Sequence, residues 1–154
     1  MTDDQSPAGH AAAIDGARQR LLRFVEGCGD GDWGQAPVDG DPRPVAVIAD
    51  HVADAYEYLA GWIADLVAGR EATVSMEIVD DLNAAHAADA SGLTQAEVAA
   101  HLRSSGDALI ALVAGLQPEQ LGLADGRPAR LAVIAARHAD DHREQIESGL
   151  AAAG

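Results

Sequence analysis

Histidine is the residue type in this chain whose spacing most favours chemistry. His138 and His142 lie four residues apart in the segment RHADDH. Four residues of an α-helix complete slightly more than one turn, so the two rings share a face. The same face carries Leu131, Ile134 and Ala135, which predicts that both rings point toward the core.

His51 supplies a third ring from a different predicted helix. It lies three residues after Ile48 and four before Ala55, at the margin of an apolar stripe. Buried imidazoles without partners cost about a few kcal/mol each. A divalent metal ion shared by His51, His138 and His142 would satisfy one nitrogen of each ring, as in metal sites between the helices of bundles.

Two alternatives to a metal site stay open at this point. A helical His-x-x-x-His pair also occurs on surfaces or as two rings that are hydrogen-bonded separately. The three histidines would also suit a metal-free bundle with a polar core. Zincin chemistry is disfavoured, because Ala139 and Asp141 stand where the HExxH and HxxEH motifs need glutamate. Di-iron carboxylate chemistry loses support because the chain contains no Glu-x-x-His.

The remaining candidate residues are predicted to have ordinary roles. We expect His10 and His86 at the surface and His101 in a structural or surface role. Cys28 lies in a glycine-rich segment without a basic neighbour, which argues against a nucleophile. Two acids of the second long helix, Asp50 and Asp54, are predicted to point away from its apolar seam.

The elements that must position these rings are helical throughout. Apolar residues recur at steps of three and four, and no useful strand-like alternation occurs. Caps and breakers then set approximate limits: Pro7 to Glu26, Val45 to Leu66, Met76 to Ala88, Thr94 to before Pro118, and Pro128 to near Gly149. The sequence predicts an all-α fold, a four-helix bundle with one additional short helix, in one domain over residues 1–154.

Composition limits the partners of such a bundle. Ten Lys and Arg residues stand against 25 Asp and Glu residues, giving a net charge of -15. This charge argues against nucleic acid and anionic membrane surfaces as partners. The first ten residues lack a signal-peptide pattern, and charges interrupt the most apolar stretch, so we expect a cytoplasmic protein. A homodimer is compatible with exposed helix faces.

Three segments in order resemble the DinB-like superfamily of metal-binding four-helix bundles. The residues Asp32-Trp33 and Pro42 to Pro44 precede VAVIADHVADA, which is similar to the second helix of the family with its histidine. The segment from Val79 to Leu116 resembles the family's third-helix region. The ending IAARHADDHREQI is similar to the closing H-x-x-x-H-x-x-x-I pattern. The family's usual aromatic residue at the start of the second helix is replaced here by Arg43-Pro44.

The resemblance implies that His51, His138 and His142 bind a divalent metal, commonly zinc or nickel. It also implies a relation to mycothiol- and bacillithiol-dependent transferases and to mycothiol-dependent maleylpyruvate isomerase, whose additional C-terminal domain has no counterpart here. Some relatives have lost ligands and have no known activity.

Three neutral imidazoles leave at least one coordination position open, where a thiol would lose its proton. The expected partners are therefore a small thiol, with mycothiol as a candidate cosubstrate, and an electrophile. Arg137 and Arg143 flank the rings, although solvated roles suit both. The alternative is a non-catalytic metal- or ligand-binding bundle of regulatory or stress-associated role, favoured if Asp141 or Glu144 fills the fourth position.

Overall fold

Helices form nearly all of the regular structure in the computed structural model, which describes residues 4–72, 75–90 and 92–153, except for the side chain of Met76. The α-helices are α1 (Pro7–Gly27), α2 (Asp30–Trp33), α3 (Val45–Val67), α4 (Met76–Asp89), α5 (Gln95–Ala114) and α6 (Leu123–Ala153). A short 3-10 helix covers Pro118–Gly122. The described ranges contain no β-strand, which confirms the predicted all-α class.

The four long helices α1, α3, α5 and α6 form the bundle. Each of α1 and α3 packs along both α5 and α6, so α1 and α3 occupy one diagonal and α5 and α6 the other. The shorter α4 packs against α3 at the side of the bundle. This arrangement confirms the four-helix bundle with an additional short helix, and it places α3 directly against α6.

Small aliphatic side chains fill the core where the helices cross. Six fully buried alanines lie on α3 and α6: Ala49, Ala53, Ala55, Ala132, Ala135 and Ala139. Tyr56 is the largest of the fully buried side chains among the described residues. Close helix packing therefore rests on small side chains, as the alanine-rich composition predicts. None of the described helices combines the length and apolarity of a membrane span.

The segment between α1 and α3 is partly helical and is attached to the bundle. One helical turn, α2, lies within it, and the indole Nε1 of Trp33 donates a hydrogen bond of 2.9 Å to the carbonyl of Leu93. Trp33 also packs against the core. Trp33 therefore attaches this segment to the bundle.

The start of α6 contains a turn just before the helix that is predicted to open at Pro128. Leu123 is extended, and Ala124, Asp125 and Gly126 have φ values of 49°, 59° and 78°, a left-handed turn, so regular helix begins after Gly126, close to the predicted start. Regular helix then continues past Gly149 to Ala153. His138 and His142 therefore lie in its middle, where neighbouring turns on both sides hold the backbone.

Candidate metal centre

The three histidines that the sequence singles out meet between α3 and α6. One nitrogen from each of His51, His138 and His142 lies within 4.8 Å of the other two. The Nε2 atoms of His51 and His138 are 3.0 Å apart, close enough for one N–H to donate to the other nitrogen. Ring centroids are 4.5 to 5.1 Å apart in edge-on arrangements. Among the described residues, this is the one group with metal-ligand spacing.

The packing of α3 against α6 positions the cluster, and all three rings lie on helices. His51 is 3% exposed and lies in a part of α3 that is buried on every side from Val45 to Ala53. His138 and His142 are half-buried on consecutive turns of α6. Sites on packed helices hold their side chains more precisely than sites on loops. The cluster is thus a pre-arranged feature of the α3–α6 interface.

The cluster is neutral at physiological pH. Burial, followed by the nearby rings, lowers the pKa of His51 to about 3. Burial and His142 together lower the pKa of His138 to about 4. The pKa of His142 is also lowered, chiefly by burial and then by the positive charge of Arg43. Three neutral imidazoles that face one another are ready to donate lone pairs without first losing protons.

The donor set fits a divalent cation of the zinc type. Tetrahedral Zn²⁺ with Zn–N bonds of about 2.0–2.1 Å needs nitrogens about 3.3 Å apart. The three histidines offer nitrogens within 4.8 Å of one another, with one pair 3.0 Å apart. The Nε2 atoms of His51 and His138 face each other, and the Nδ1 atoms of His51 and His142 are buried without a hydrogen-bond partner among the described residues. The fit to a cation therefore rests on the three imidazole nitrogens that converge, which are donors that Zn²⁺ and Ni²⁺ accept.

The rim of the cluster carries one ion pair that the sequence argument did not identify. Arg43 forms a bidentate pair with Asp41, with Nη2 2.8 Å from Oδ2. The charge of Arg43 contributes to the lowered pKa values of all three rings, and Asp41 acts on His142 in the opposite direction. Arg43 stands where the family resemblance led us to expect an aromatic residue, so that departure from the pattern was the available signal.

A second polar cluster lies beside the first, and it accounts for two of three sequence-based expectations that are wrong. Asp50 is buried, not turned away from the core, and accepts hydrogen bonds of 2.8 Å from His86 Nε2 and His101 Nδ1. His101 Nε2 also donates to Glu57 at 3.0 Å. His86 is 9% exposed, and His10 is 5% exposed; neither is a surface residue.

Hydrogen bonding explains the charges of this second cluster. Burial opposes ionisation of Asp50, but the bonds from His86 and His101 hold its pKa below the usual value. Burial likewise opposes protonation of His101, but the bonds to Asp50 and Glu57 raise its pKa. Asp50 and His101 therefore behave as an ion pair that joins α3 to α5. His101 has the structural role that the sequence indicated.

The other residues that the sequence named near the histidines do not contribute to the three-histidine group. Asp141 and Glu144 are exposed and are not part of the three-histidine group. Arg137 is exposed, while Arg143 pairs with Asp140 and Glu147. The pKa of Cys28 is raised by burial and by Asp32, which agrees with the prediction that its thiol is not a nucleophile.

Comparison with known proteins identifies one family. A family model described as the DinB superfamily matches residues 13–146. Those residues include all three clustered histidines and the four long helices, except for the ends of the first and last. Searches of curated proteins and of solved structures found no match.

Proposed function

The chain belongs to the DinB superfamily, and from that premise we propose that it is a divalent-metal-dependent thiol S-transferase. Zinc or nickel would be held by His51, His138 and His142. The nucleophile would come from a low-molecular-weight thiol such as mycothiol. Superfamily membership supports metal binding in general, and the particular chemistry rests on the geometry of the cluster.

One observation carries the proposal: three neutral imidazoles converge with no carboxylate among them. The described part of the chain places no Asp or Glu in the three-histidine group. Such a donor set leaves the full +2 charge of a cation uncompensated and one coordination position open. When bound, a divalent cation supplies Lewis acidity there, which lowers the pKa of a thiol in that position.

The residues around the cluster have definable tasks in such a reaction. His51, His138 and His142 remain neutral donors, because burial holds the pKa values of the first two at about 3 and about 4. Arg43 places a positive charge near the rings and would favour an anionic sulfur over a neutral thiol. Asp41 fixes the guanidinium of Arg43 at the rim.

The net reaction is a substitution at carbon. The S–H bond of the thiol breaks heterolytically and its proton leaves to solvent. The sulfur electron pair forms an S–C bond with the electrophile while the bond to the leaving group breaks. The leaving group departs with the two electrons of its own bond to carbon. Thiol-dependent isomerisation would begin with the same sulfur attack, on a conjugated double bond, and would end with release of the thiol.

A non-catalytic binding role is the alternative, and the site geometry disfavours it. That role would be expected if a fourth side chain closed the coordination position. The two candidates for this closure, Asp141 and Glu144, are both exposed. Because no described acid joins the group, the open position supports catalysis.

Metal-dependent turnover tests the proposal directly. Protein purified without a histidine tag is stripped of metal and reloaded with Zn²⁺ or Ni²⁺. Each form is mixed with mycothiol, cysteine or glutathione and a panel of alkyl halides, epoxides and conjugated carbonyl compounds. We expect thiol consumption and a mass-identified thioether only with loaded protein. Absence of metal-dependent turnover for every pair would overturn the assignment.

His138→Ala and His10→Gln form a matched pair for this assay. Both replace a histidine of a long helix, and one buried nitrogen of His10 also lacks a partner among the described residues. His10, however, lies outside the three-histidine group. We expect His138→Ala to lose turnover by at least about 100-fold, as removal of a metal ligand should. His10→Gln should retain it.

A further inference from the structure

An apolar cleft of about 170 Å³ adjoins the three-histidine cluster. It lies between α3, α4 and α6, and His138 forms part of its wall. The other side chains that matter for its character are Tyr58, Trp62, Val79, Leu131 and Ile134.

The lining of the cleft is almost entirely hydrocarbon or aromatic. Tyr58 and Trp62 form one wall from α3, with ring centroids 4.9 Å apart and planes inclined by 51°. Leu131 and Ile134 form the opposite wall from α6. Apart from the ring of His138, the indole and the Tyr58 hydroxyl, nothing in this wall offers a hydrogen bond. Such a surface selects for apolar groups.

The cleft is open to solvent beside Ile134 and is bounded by His138 of the histidine cluster. Ile134 is 49% exposed although it lies on the same face of α6 as His138, four residues away. The three-four spacing of α6 predicts Ile134 as a core residue. Its exposure is explained by the cleft, because the space beside it is not filled by another side chain.

The α4 wall of the cleft is fixed to the bundle by a polar contact. Val79 lies seven residues before His86, so two helical turns place both on the same face of α4. His86 bonds the buried Asp50 of α3 at 2.8 Å. This bond holds α4 against α3, and with it the side chain of Val79 at the cleft.

We infer that the cleft binds the hydrocarbon part of the electrophile, so that the substrate class is small apolar compounds with a portion about the size of one benzene ring. The inference rests on the proposed function and names its second substrate. Size supports it: an apolar cavity of about 150 Å³ lined by similar residues binds benzene. A group seated there lies against His138, which brings an attached reactive carbon to the cluster.

Binding of toluene to metal-free protein tests the cleft without any turnover. Methyl NMR spectra of Val79, Leu131 and Ile134 report contact, and titration gives the dissociation constant. We expect these methyl signals to shift, and each methylene added to the alkyl group to tighten binding about fourfold until the cleft is full. Absence of binding up to the solubility limit of toluene would overturn the inference.

Ile134→Ser and Val133→Ser form the matched pair. The two residues are neighbours on α6 and are exposed to 49% and 38%, so both variants should fold. Ile134 lines the cleft and Val133 does not. We expect Ile134→Ser to weaken toluene binding at least tenfold and Val133→Ser to change it less than twofold. Equal weakening in both variants would place toluene elsewhere on α6 and overturn the inference.

The turnover assay separates the failure of this inference from the failure of the proposed function. If toluene binds in the cleft but no metal-dependent thioether forms, the binding role of the cleft is supported and the S-transferase assignment is contradicted. The opposite result is also possible to recognise. If thioethers form with no preference for benzyl over hydroxyethyl electrophiles and without inhibition by toluene, the S-transferase assignment is supported and the binding role of the cleft is contradicted. As a second variant, Val79→Phe should block toluene by filling the cleft from α4.

Discussion

Single residues define the centre through their protonation states. His51, His138 and His142 are held neutral mainly because burial disfavours their charged forms. The neighbouring His101 is driven the other way by its bonds to Asp50 and Glu57. His101 and the three clustered rings thus differ in charge, and only the three neutral rings offer lone pairs that converge.

Metal affinity should therefore depend weakly on pH between 7 and 6. The pKa of His51 is about 3 and that of His138 about 4, so protons do not compete with a cation at these two rings in this range. Three ordinary histidines would lose about 30-fold in affinity over the same interval. We expect a loss of at most about threefold for Zn²⁺, measured by competition with a chromophoric chelator.

A control peptide with three exposed histidines calibrates that experiment. It should show the steep loss of affinity that the protein lacks. A fall in the protein as steep as in the peptide would mean that its rings titrate near 6.5, and that burial does not hold them neutral.

The burial of an individual residue could be predicted where its position on one helix face determines it. His138 and His142 could be placed inward from spacing alone. Asp50 could have been recognised as buried, because the stretch from Val45 to Ala53 is apolar except for Asp50 and His51. The burial of His86 carried no such signal. It depends on where α4 docks, which local pattern does not determine.

Among the elements, α4 depends most on a single polar contact. It packs against α3, and its His86 bonds the buried Asp50. Its N-terminus is capped by Ser75, whose hydroxyl accepts from the Ile78 amide. Helices with few packing partners exchange their amides from local openings.

Removal of that contact should loosen α4 alone. We expect His86→Ala to raise hydrogen exchange of the α4 amides at least about tenfold, because Asp50 then loses a bond worth about 1.5–3 kcal/mol. Exchange in α1 and α5 should stay unchanged. The control is Asp80→Ala, which alters an exposed residue of the same helix. Equal protection of α4 in His86→Ala and wild type would show that the bond does not hold the helix.

The left-handed turn at the start of α6 makes a second prediction at this scale. Gly126 has a φ of 78°, a conformation that a Cβ disfavours by about 1–2 kcal/mol. Gly61 lies in regular helix on α3, and a Cβ added there meets no atom within 4 Å. Gly126→Ala should therefore lower the free energy of unfolding by about 1–2 kcal/mol.

Gly61→Ala is the matched control in urea unfolding and should raise stability by up to about 1 kcal/mol. The same sign of change in both variants would contradict the left-handed turn. The sequence placed the helix start near Pro128 correctly but did not show the left-handed turn before it, because Ala124 and Asp125 rarely adopt positive φ.

At the scale of the whole molecule, composition and periodicity were sufficient for the architecture. Four long segments with apolar residues at steps of three and four predict the four-helix bundle that the structure shows. Buried alanines lie where these helices pack against one another. The distances inside the centre could not be predicted in the same way. His51 and His138 are 87 residues apart, and their contact depends on the register of α3 against α6.

The apolar cleft also belongs to this scale, because three helices form it. Its residues are separated in sequence, from Tyr58 on α3 to His138 on α6. No local pattern marks Ile134 as a cleft residue, since periodicity assigns it to the core. The chemistry we propose combines this cleft with the neutral histidines, so it depends on the assembled bundle.

The measurement that tests the account most directly is an equilibrium Zn²⁺ titration of untagged, metal-free protein. We predict one equivalent bound by wild type and His10→Gln, and a loss of affinity of at least about 100-fold in His51→Ala, His138→Ala and His142→Ala. Equal stoichiometry and affinity in wild type and the three cluster variants would contradict the account.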